Sequence, residues 1–403
     1  MQSPHPMLDL DWIREASGEP NMSVSDCIKQ QDIVGPNILF DTKYYRSTYG
    51  AEMPVGMTCL EHFCRQLRES PRDPNPLFSV KQWHETIGWR LQGEQTWRNE
   101  LIRTLGQEAR FSREELRRQN EGRVVVQDSV VGLAPKKGQD ICLFVHYDKN
   151  DDVQPYVIDY LDALNDQGVS VMFLSNSKSL LPIAREKLRD RVWRIVNCEN
   201  RAYDWGLYSI GVRLLGDDIN GHSILLANDS VVGTMNPLDE LFKLARSGEY
   251  QIVGAIESLL HDWHLQSFFI YCSDELVSSG AWADFWKAYR PHNDKWFVIN
   301  SQKMGFARWM ARRNVRMKGA WEYWPTLEAA DENSASQWRR DLIKNRGITN
   351  PTVELWDVLL ENGFPFLKRS ILENELAAGN IAHMCNVLSR LSVRKGGREV
   401  THS

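Results

Sequence analysis

The chain has 403 residues, 42% hydrophobic and 25% charged, with a formal net charge of −5. That length allows two or three domains, the composition excludes a disordered chain, and the acidic balance excludes a general nucleic-acid binder. No run of about 18 apolar residues occurs, so no membrane-spanning helix is expected, and Met1 to Pro20 lacks the apolar core of a signal peptide.

Residues 1–36 are polar, carry Pro4, Pro6, Pro20 and Pro36, and suggest a loosely ordered arm. Residues 37–95 form a small helical module. Asp41 stands as N-cap before Thr42-Lys43-Tyr44-Tyr45, and Cys59-Leu60-Glu61-His62-Phe63 is a second amphipathic helix. The turn-rich break Pro71 to Pro76 follows, and Leu77 to Trp83 then repeats the aromatic–cap–helix design. Residues 96–135 are a linker, with a charged helix from Trp97 to Asn120 that reads as a solvated face.

Residues 136–330 carry an α/β pattern. Ile141 to Asp148 is a buried strand with polar residues at its end. Val153, Tyr156, Val157, Tyr160, Leu161 and Leu164 make one apolar helical stripe, closed by Gly168. Val169 to Leu174 completes a right-handed βαβ unit. Further strands are Val192 to Val196, His222 to Ala227, Tyr250 to Ile256 and Leu265 to Cys272, with helices from Ala281 to Tyr289 and Gln302 to Asn314. Residues 331–392 read helical, broken at Asn350-Pro351 and Gly363-Phe364-Pro365-Phe366, and 393–403 form a basic tail. Seven cysteines with no CxxC spacing, several inside apolar strands, favour reduced buried thiols. The 15 tryptophans suit core filling or sugar stacking.

There is no GxGxxG, Walker loop, HExxH or GxSxG. What remains is a set of acids and amides at strand ends: Asp148, Asn176, Asp204 and Asp229. Asp229 is either a turn-former or the carboxylate anchor of a cation–diphosphate complex, whose other ligands come from water and phosphate. Glu257, His261, Asp262 and His264 lie between two strands, as a solvated loop or as the source of a general base. His146 and Asp148 stand at the end of their strand. Asn200 and Asp204 suit hydrogen bonds to a base or ribose, or capping of the next helix.

Several stretches, in order, resemble one family. They are Val145-His146-Tyr147-Asp148, Phe173-Leu174-Ser175-Asn176-Ser177, the loop Asn200 to Gly206, Leu225 to Ser230, and His264 to Phe269. Farther on, Asn350-Pro351 with Trp356, and Gly363 to Arg369, fit as well. The run is similar to the rhamnan synthesis protein F family of bacterial glycosyltransferases, which help assemble rhamnose-containing cell-surface polysaccharides. Ala202 stands where that family's loop is expected to hold glycine, a residue free to take positive φ. Phe40-Asp41, Tyr44-Tyr45, Leu60 to Phe63 and Asp73 to Phe78 resemble a small helical module found ahead of polysaccharide-synthesis enzymes.

The resemblance implies a GT-A-like, Rossmann-type nucleotide-sugar-binding sheet with helices on both faces, a small N-terminal helical module and a helical C-terminal region. It implies donor binding by His146, Tyr147, Asp148, Asn176, Asn200, Asp204 and Asn228, and Mg²⁺ or Mn²⁺ at Asp229. Asp262, His264 and Glu257, in that order, are the candidate bases on the acceptor hydroxyl. The implied reaction is an inverting direct displacement. It moves rhamnose from a dTDP-sugar to an oligosaccharide or lipid-linked glycan of an O-antigen, lipopolysaccharide or other cell-envelope polysaccharide. No nucleic-acid partner is implied. The implied location is the cytoplasm, at the inner-membrane face or beside other assembly enzymes. The alternative is a non-catalytic glycan-binding or assembly protein that keeps the fold without the chemistry.

Overall fold

Two runs of six residues, Ile141–His146 and Ser170–Ser175, are buried almost throughout, as strands covered on both faces must be. The computed structural model describes residues 3–91, 94–330, 336–378, 384–385 and 387. The chain divides into two units. One comprises Met1–Val125, Arg201–Ile210 and Asp284–Arg312, the other Val126–Asn200, Gly211–Ala283 and Arg313–Ser403, each counted over its described residues.

The second unit is built on a mixed sheet. Its strands are β1 (Val125–Val130), β2 (Ile141–His146), β3 (Ser170–Ser175), β4 (Arg194–Cys198), β5 (Ile224–Asn228), β7 (Ile252–Ser258), β8 (His264–Leu265), β9 (Phe269–Cys272) and β10 (Met317–Trp321). Two short strands, β6 (Val231–Val232) and β11 (Leu367–Lys368), pair with each other. The order across the large sheet is β1-β4-β3-β2-β5-β9-β7-β10, with β8 hairpinned onto β7. β4, β3, β2 and β5 run parallel. β9 is antiparallel to both β5 and β7, and β10 runs parallel to β7. β7 and β10 therefore point the same way as β5.

Alternation along β2 serves both faces. Phe144 packs against Tyr160 of the helix Pro155–Asp166, ring centroids 5.3 Å apart. Leu143, one residue away, points to the opposite face, where a Cβ on Gly211 would come within 3.0 Å of its side chain. Cys142, Phe144, Val157, Leu161, Val171 and Phe173 belong to one buried cluster on the first face.

The first unit is helical. Helices Thr42–Tyr49 and Val80–Thr86 are capped by Asp41 and Ser79, as their spacing predicts. Ser79 and Asn300 exchange two hydrogen bonds of 2.8 Å, and Phe78 stacks on Phe297 with centroids 4.8 Å apart. Trp205 from the segment Arg201–Ile210 packs against Phe306 at 5.5 Å.

The expected mixed α/β architecture with a helical N-terminal region is what the structure has. Four details differ. Residues 1–36 are not a loose arm: helices Leu10–Ser17 and Val24–Val34 are capped by Asp9 and Ser23 and bury Leu8, Leu10, Ile13, Met22 and Cys27 together. The linker helix, Glu94–Asn120, is not a solvated rod. Trp97, Leu101, Leu105 and Ala109 recur every fourth residue and enter a core with Tyr45, Phe63 and Trp83. The expected domain 136–330 is not continuous, because 201–210 and 284–312 belong to the other unit. The strands β1 and β10 were not foreseen, and the expected strand Leu265 to Cys272 is two strands, β8 and β9. The expected tail 393–403 and, within 331–392, residues 331–335, 379–383, 386 and 388–392 lie outside the described residues. All seven cysteines are free. Among the described residues no helix is long and apolar enough to cross a membrane.

Candidate functional site

From β2 the chain moves outward to β3 and β4, then returns to place β5 on the other side of β2. The topology therefore switches between β2 and β5, and the carboxyl ends of strands at such a switch are where open α/β sheets bind ligands. β2 leads into Tyr147 and Asp148, and β5 leads into Asp229. The two ends are stitched together. The Tyr147 N–H donates to Asp229 Oδ2 at 3.1 Å, and the Asp229 N–H donates to the Val145 carbonyl at 3.1 Å.

Beside this seam a cleft of about 360 Å³ runs along the ends of β2, β3 and β4, lined by Tyr147, Asp148, Asn176 and Asn200 with Lys149 and Lys178. Asn176 Nδ2 donates to Asn200 Oδ1 at 3.0 Å, which joins two of the expected donor-binding residues. Tyr147 is 43% exposed and lines the cleft. Asp148 is held: Oδ1 accepts from the Asn150 N–H at 2.7 Å and Oδ2 from Gln154 Nε2 at 3.0 Å.

Other candidates make structural contacts. His146 is completely buried, with Nδ1 3.1 Å from Ser175 Oγ, and burial pushes its pKa down to about 4. It is a neutral core histidine beneath the site and not a wall of it. Asn228 shapes the turn: Nδ2 donates to the Ser267 carbonyl at 3.3 Å, and Oδ1 accepts from the Ser230 N–H at 3.1 Å. Asp204 lies in the helical unit, in the first turn of the helix Tyr203–Leu215, where its Oδ1 accepts from the Trp205 N–H at 3.1 Å. Ala202, just before it, has φ 60° and Tyr203 φ 54°, the backbone that glycine was expected to supply.

The β7–β8 hairpin reaches the same sheet edge as Asp229, with β9 between. Two strand spacings put it about 10 Å away laterally. Glu257 is committed to structure: Oε2 accepts from Trp263 Nε1 at 2.8 Å and Oε1 from the Tyr323 N–H at 2.9 Å. Asp262 Oδ1 accepts from the Trp263 N–H at 2.9 Å. His264 is buried in β8 and its Nδ1 lies 2.9 Å from the Asp262 carbonyl, so that nitrogen carries the proton.

Asp229 is the buried acid of the seam. Desolvation pushes its carboxyl up to about 6, against the Tyr147 amide and Arg369, which favour the charged form. Arg369 carries no site signal of its own in the sequence. Its Nη1 lies 3.7 Å from Asp229 Oδ2 and donates to the Tyr156 hydroxyl at 2.9 Å. The only sequence sign was a basic pair, Lys368-Arg369, after the Gly363 to Phe366 break, which shows nothing of its partner in space. Among the described residues no group of three or more His, Cys, Asp and Glu could hold a metal ion. With Asp148 engaged and Asp229 Oδ2 shared by an amide and a guanidinium, the donor set does not fit a divalent ion held by the protein alone.

Residues 171–393, more than half of the chain, match the family described as rhamnan synthesis protein F. The chain belongs to that family. A curated relative from Sinorhizobium fredii (strain NBRC 101917 / NGR234), named uncharacterized protein y4gN, is 29% identical over 160 residues, covering 36% of this chain and 42% of the relative. The chain thus spans less than half the length of that relative. The rhamnan synthesis F match takes in Asn176, Asn200, Asp229, the β7–β8 hairpin and Arg369, whereas Tyr147 and Asp148 precede it. Membership suggests a part in the synthesis of rhamnan or a related polysaccharide.

Proposed function

We propose that the protein is a glycosyltransferase that binds a nucleoside-diphosphate sugar at the carboxyl edge of its sheet and passes the sugar to a growing polysaccharide. One observation carries this reading: Tyr147, Asp148, Asn176, Asn200 and Asp229 converge on one edge, at the topological switch between β2 and β5. The Tyr147 ring suits stacking on a base, and the amides of Asn176 and Asn200 suit hydrogen bonds to its edge or to the ribose. Family membership favours rhamnose as the sugar and a dTDP-sugar as donor. The sheet, with the antiparallel strand β9 set between β5 and β7, supports the GT-A-like assignment. Asp262, at the far side of the same edge, is the preferred base for an inverting displacement, ahead of His264. A Mg²⁺ or Mn²⁺ ion would have one protein ligand to use, Asp229. The acceptor is an oligosaccharide or lipid-linked glycan met at the cytoplasmic face of the inner membrane.

A panel of UDP-, GDP- and dTDP-sugars tests this by calorimetry and by release of nucleoside diphosphate. Binding of one of them, with dTDP-rhamnose foremost, is expected. A protein that binds none of them but binds oligosaccharide supports the second reading, a glycan-binding assembly protein. The specific observation that favours this second reading is Glu257, one of the expected bases, with both oxygens bound to structural donors.

A further inference from the structure

We propose that Arg369 is the cation that receives the diphosphate of the donor, so that leaving-group charge is met by a protein side chain. This rests on the nucleotide-sugar reading above.

The chain delivers Arg369 by backbone, not by chance contact. β11 pairs antiparallel with β6, Leu367 opposite Val232 and Lys368 opposite Val231, and the Arg369 N–H continues the ladder to the Ser230 carbonyl at 3.0 Å. That register sets Arg369 beside Asp229, the residue before Ser230. Two side chains then aim the guanidinium: Tyr156 accepts from Nη1 at 2.9 Å, and Asp229 Oδ2 lies 3.7 Å from the same nitrogen. Tyr156 is the second residue of the helix Pro155–Asp166, whose amino end carries partial positive charge and whose N-cap, Gln154, gives it no side-chain hydrogen bond. Nη2 and Nε of Arg369 make no hydrogen bond to a described residue, and the side chain is 38% exposed. A planar fork with its outer donors open to solvent fits a phosphate in two-point contact. Asp229 beneath it, 12% exposed, faces the same guanidinium from the protein side and would orient it.

In the transfer, the bond between the anomeric carbon and the diphosphate oxygen breaks, and its electron pair stays on the diphosphate. The acceptor oxygen forms the new bond to that carbon and gives its proton to the base. Arg369 keeps its own proton throughout and stabilises the charge that builds on the departing oxygen.

The test is calorimetric titration of the full chain with UDP, dTDP and GDP, and with uridine, thymidine and guanosine, in EDTA. The wild type should bind one diphosphate at least about tenfold more tightly than its nucleoside. Arg369→Met should lose about 10- to 100-fold in affinity for that diphosphate and keep the nucleoside affinity, and Arg369→Lys should fall between. A matching thermal unfolding curve for Arg369→Lys keeps the comparison valid if the methionine variant folds poorly. Wild-type diphosphate affinity in both variants overturns the role of Arg369 and leaves the nucleotide-sugar reading standing. Wild-type protein that binds none of the diphosphates in EDTA but binds one with Mn²⁺ added overturns the role of Arg369 alone, and absence of binding in both conditions takes down both.

Discussion

Tyr147 donates its backbone N–H to the carboxylate of Asp229 at 3.1 Å, a bond that spans 82 residues of sequence and joins the ends of two parallel strands. The donor is main chain, so substitutions at position 147 leave it intact while changing the side chain of a cleft-lining residue. Tyr147→Phe should keep nucleoside affinity, and Tyr147→Ala should lower it about 5- to 100-fold, the range of one base–aromatic stack. Equal affinity of the alanine variant and the wild type in calorimetry would move the base elsewhere.

Asp229 titrates with a definite sign. Its folded carboxyl is pushed up to about 6, whereas an unfolded aspartate titrates near 4. Stability contributed by the protonated form is complete below pH 4 and is lost as pH rises through 6. Asp229→Asn, neutral at every pH, should match the wild type near pH 4 and exceed it at pH 8 by about 2 to 3 kcal/mol. The same variant should be impaired in transfer, since it weakens the hold on Arg369. Denaturant midpoints at the two pH values decide it: a gap that does not widen with pH contradicts the buried, charged carboxylate.

Glu257 and Asp262 should separate cleanly. In Glu257→Gln the amide must turn its NH₂ toward either Trp263 Nε1 or the Tyr323 N–H, which leaves one donor unpaired. The expected cost is about 1 to 3 kcal/mol of stability, with turnover per folded molecule nearly unchanged. Asp262→Asn should leave the melting curve close to wild type and lower turnover about 100-fold or more. The reverse pattern would make Glu257 the base.

Ala202 sits in left-handed backbone, φ 60°, and the Cβ of an alanine at 206 would lie 2.7 Å from the Ala202 Cβ. Ala202→Gly should stabilise by about 0.5 to 1 kcal/mol. Gly206→Ala should destabilise by about 1 to 3 kcal/mol in the natural background, and by clearly less when residue 202 is glycine. Additive effects in this double-mutant cycle would mean that the two positions do not touch.

The parallel strands were legible because each is a short apolar run ending in polar residues, and the same pattern marked Asp229, Asn176 and Asn200. β10, Met317-Lys318-Gly319-Ala320-Trp321, was not legible: it has no β-branched residue and takes its place from pairing with β7. The N-terminal arm misled through its prolines, while the caps at Asp9 and Ser23 and a few buried apolar residues outweigh them. His146 shows the limit at the site itself. A histidine at a strand end looks the same in sequence whether it faces the crevice or the core, and only the packing of Phe173, 5.0 Å from its ring, decides. Arg369 was hidden for a different reason. Its partners Asp229 and Tyr156 lie 140 and 213 residues away, beyond the reach of any local pattern.

The helical unit also sets a timetable for synthesis. Its first 125 residues leave the ribosome early, yet Phe78 and Ser79 find their partners Phe297 and Asn300 only after most of the sheet has been made. At a synthesis rate of about 5 to 20 residues per second, that wait is roughly 10 to 45 s. During it Phe78 lacks its stacking partner and Ser79 its two hydrogen bonds. A nascent chain stalled before residue 284 should therefore hold a protease-sensitive N-terminal third, and release past residue 312 should close it.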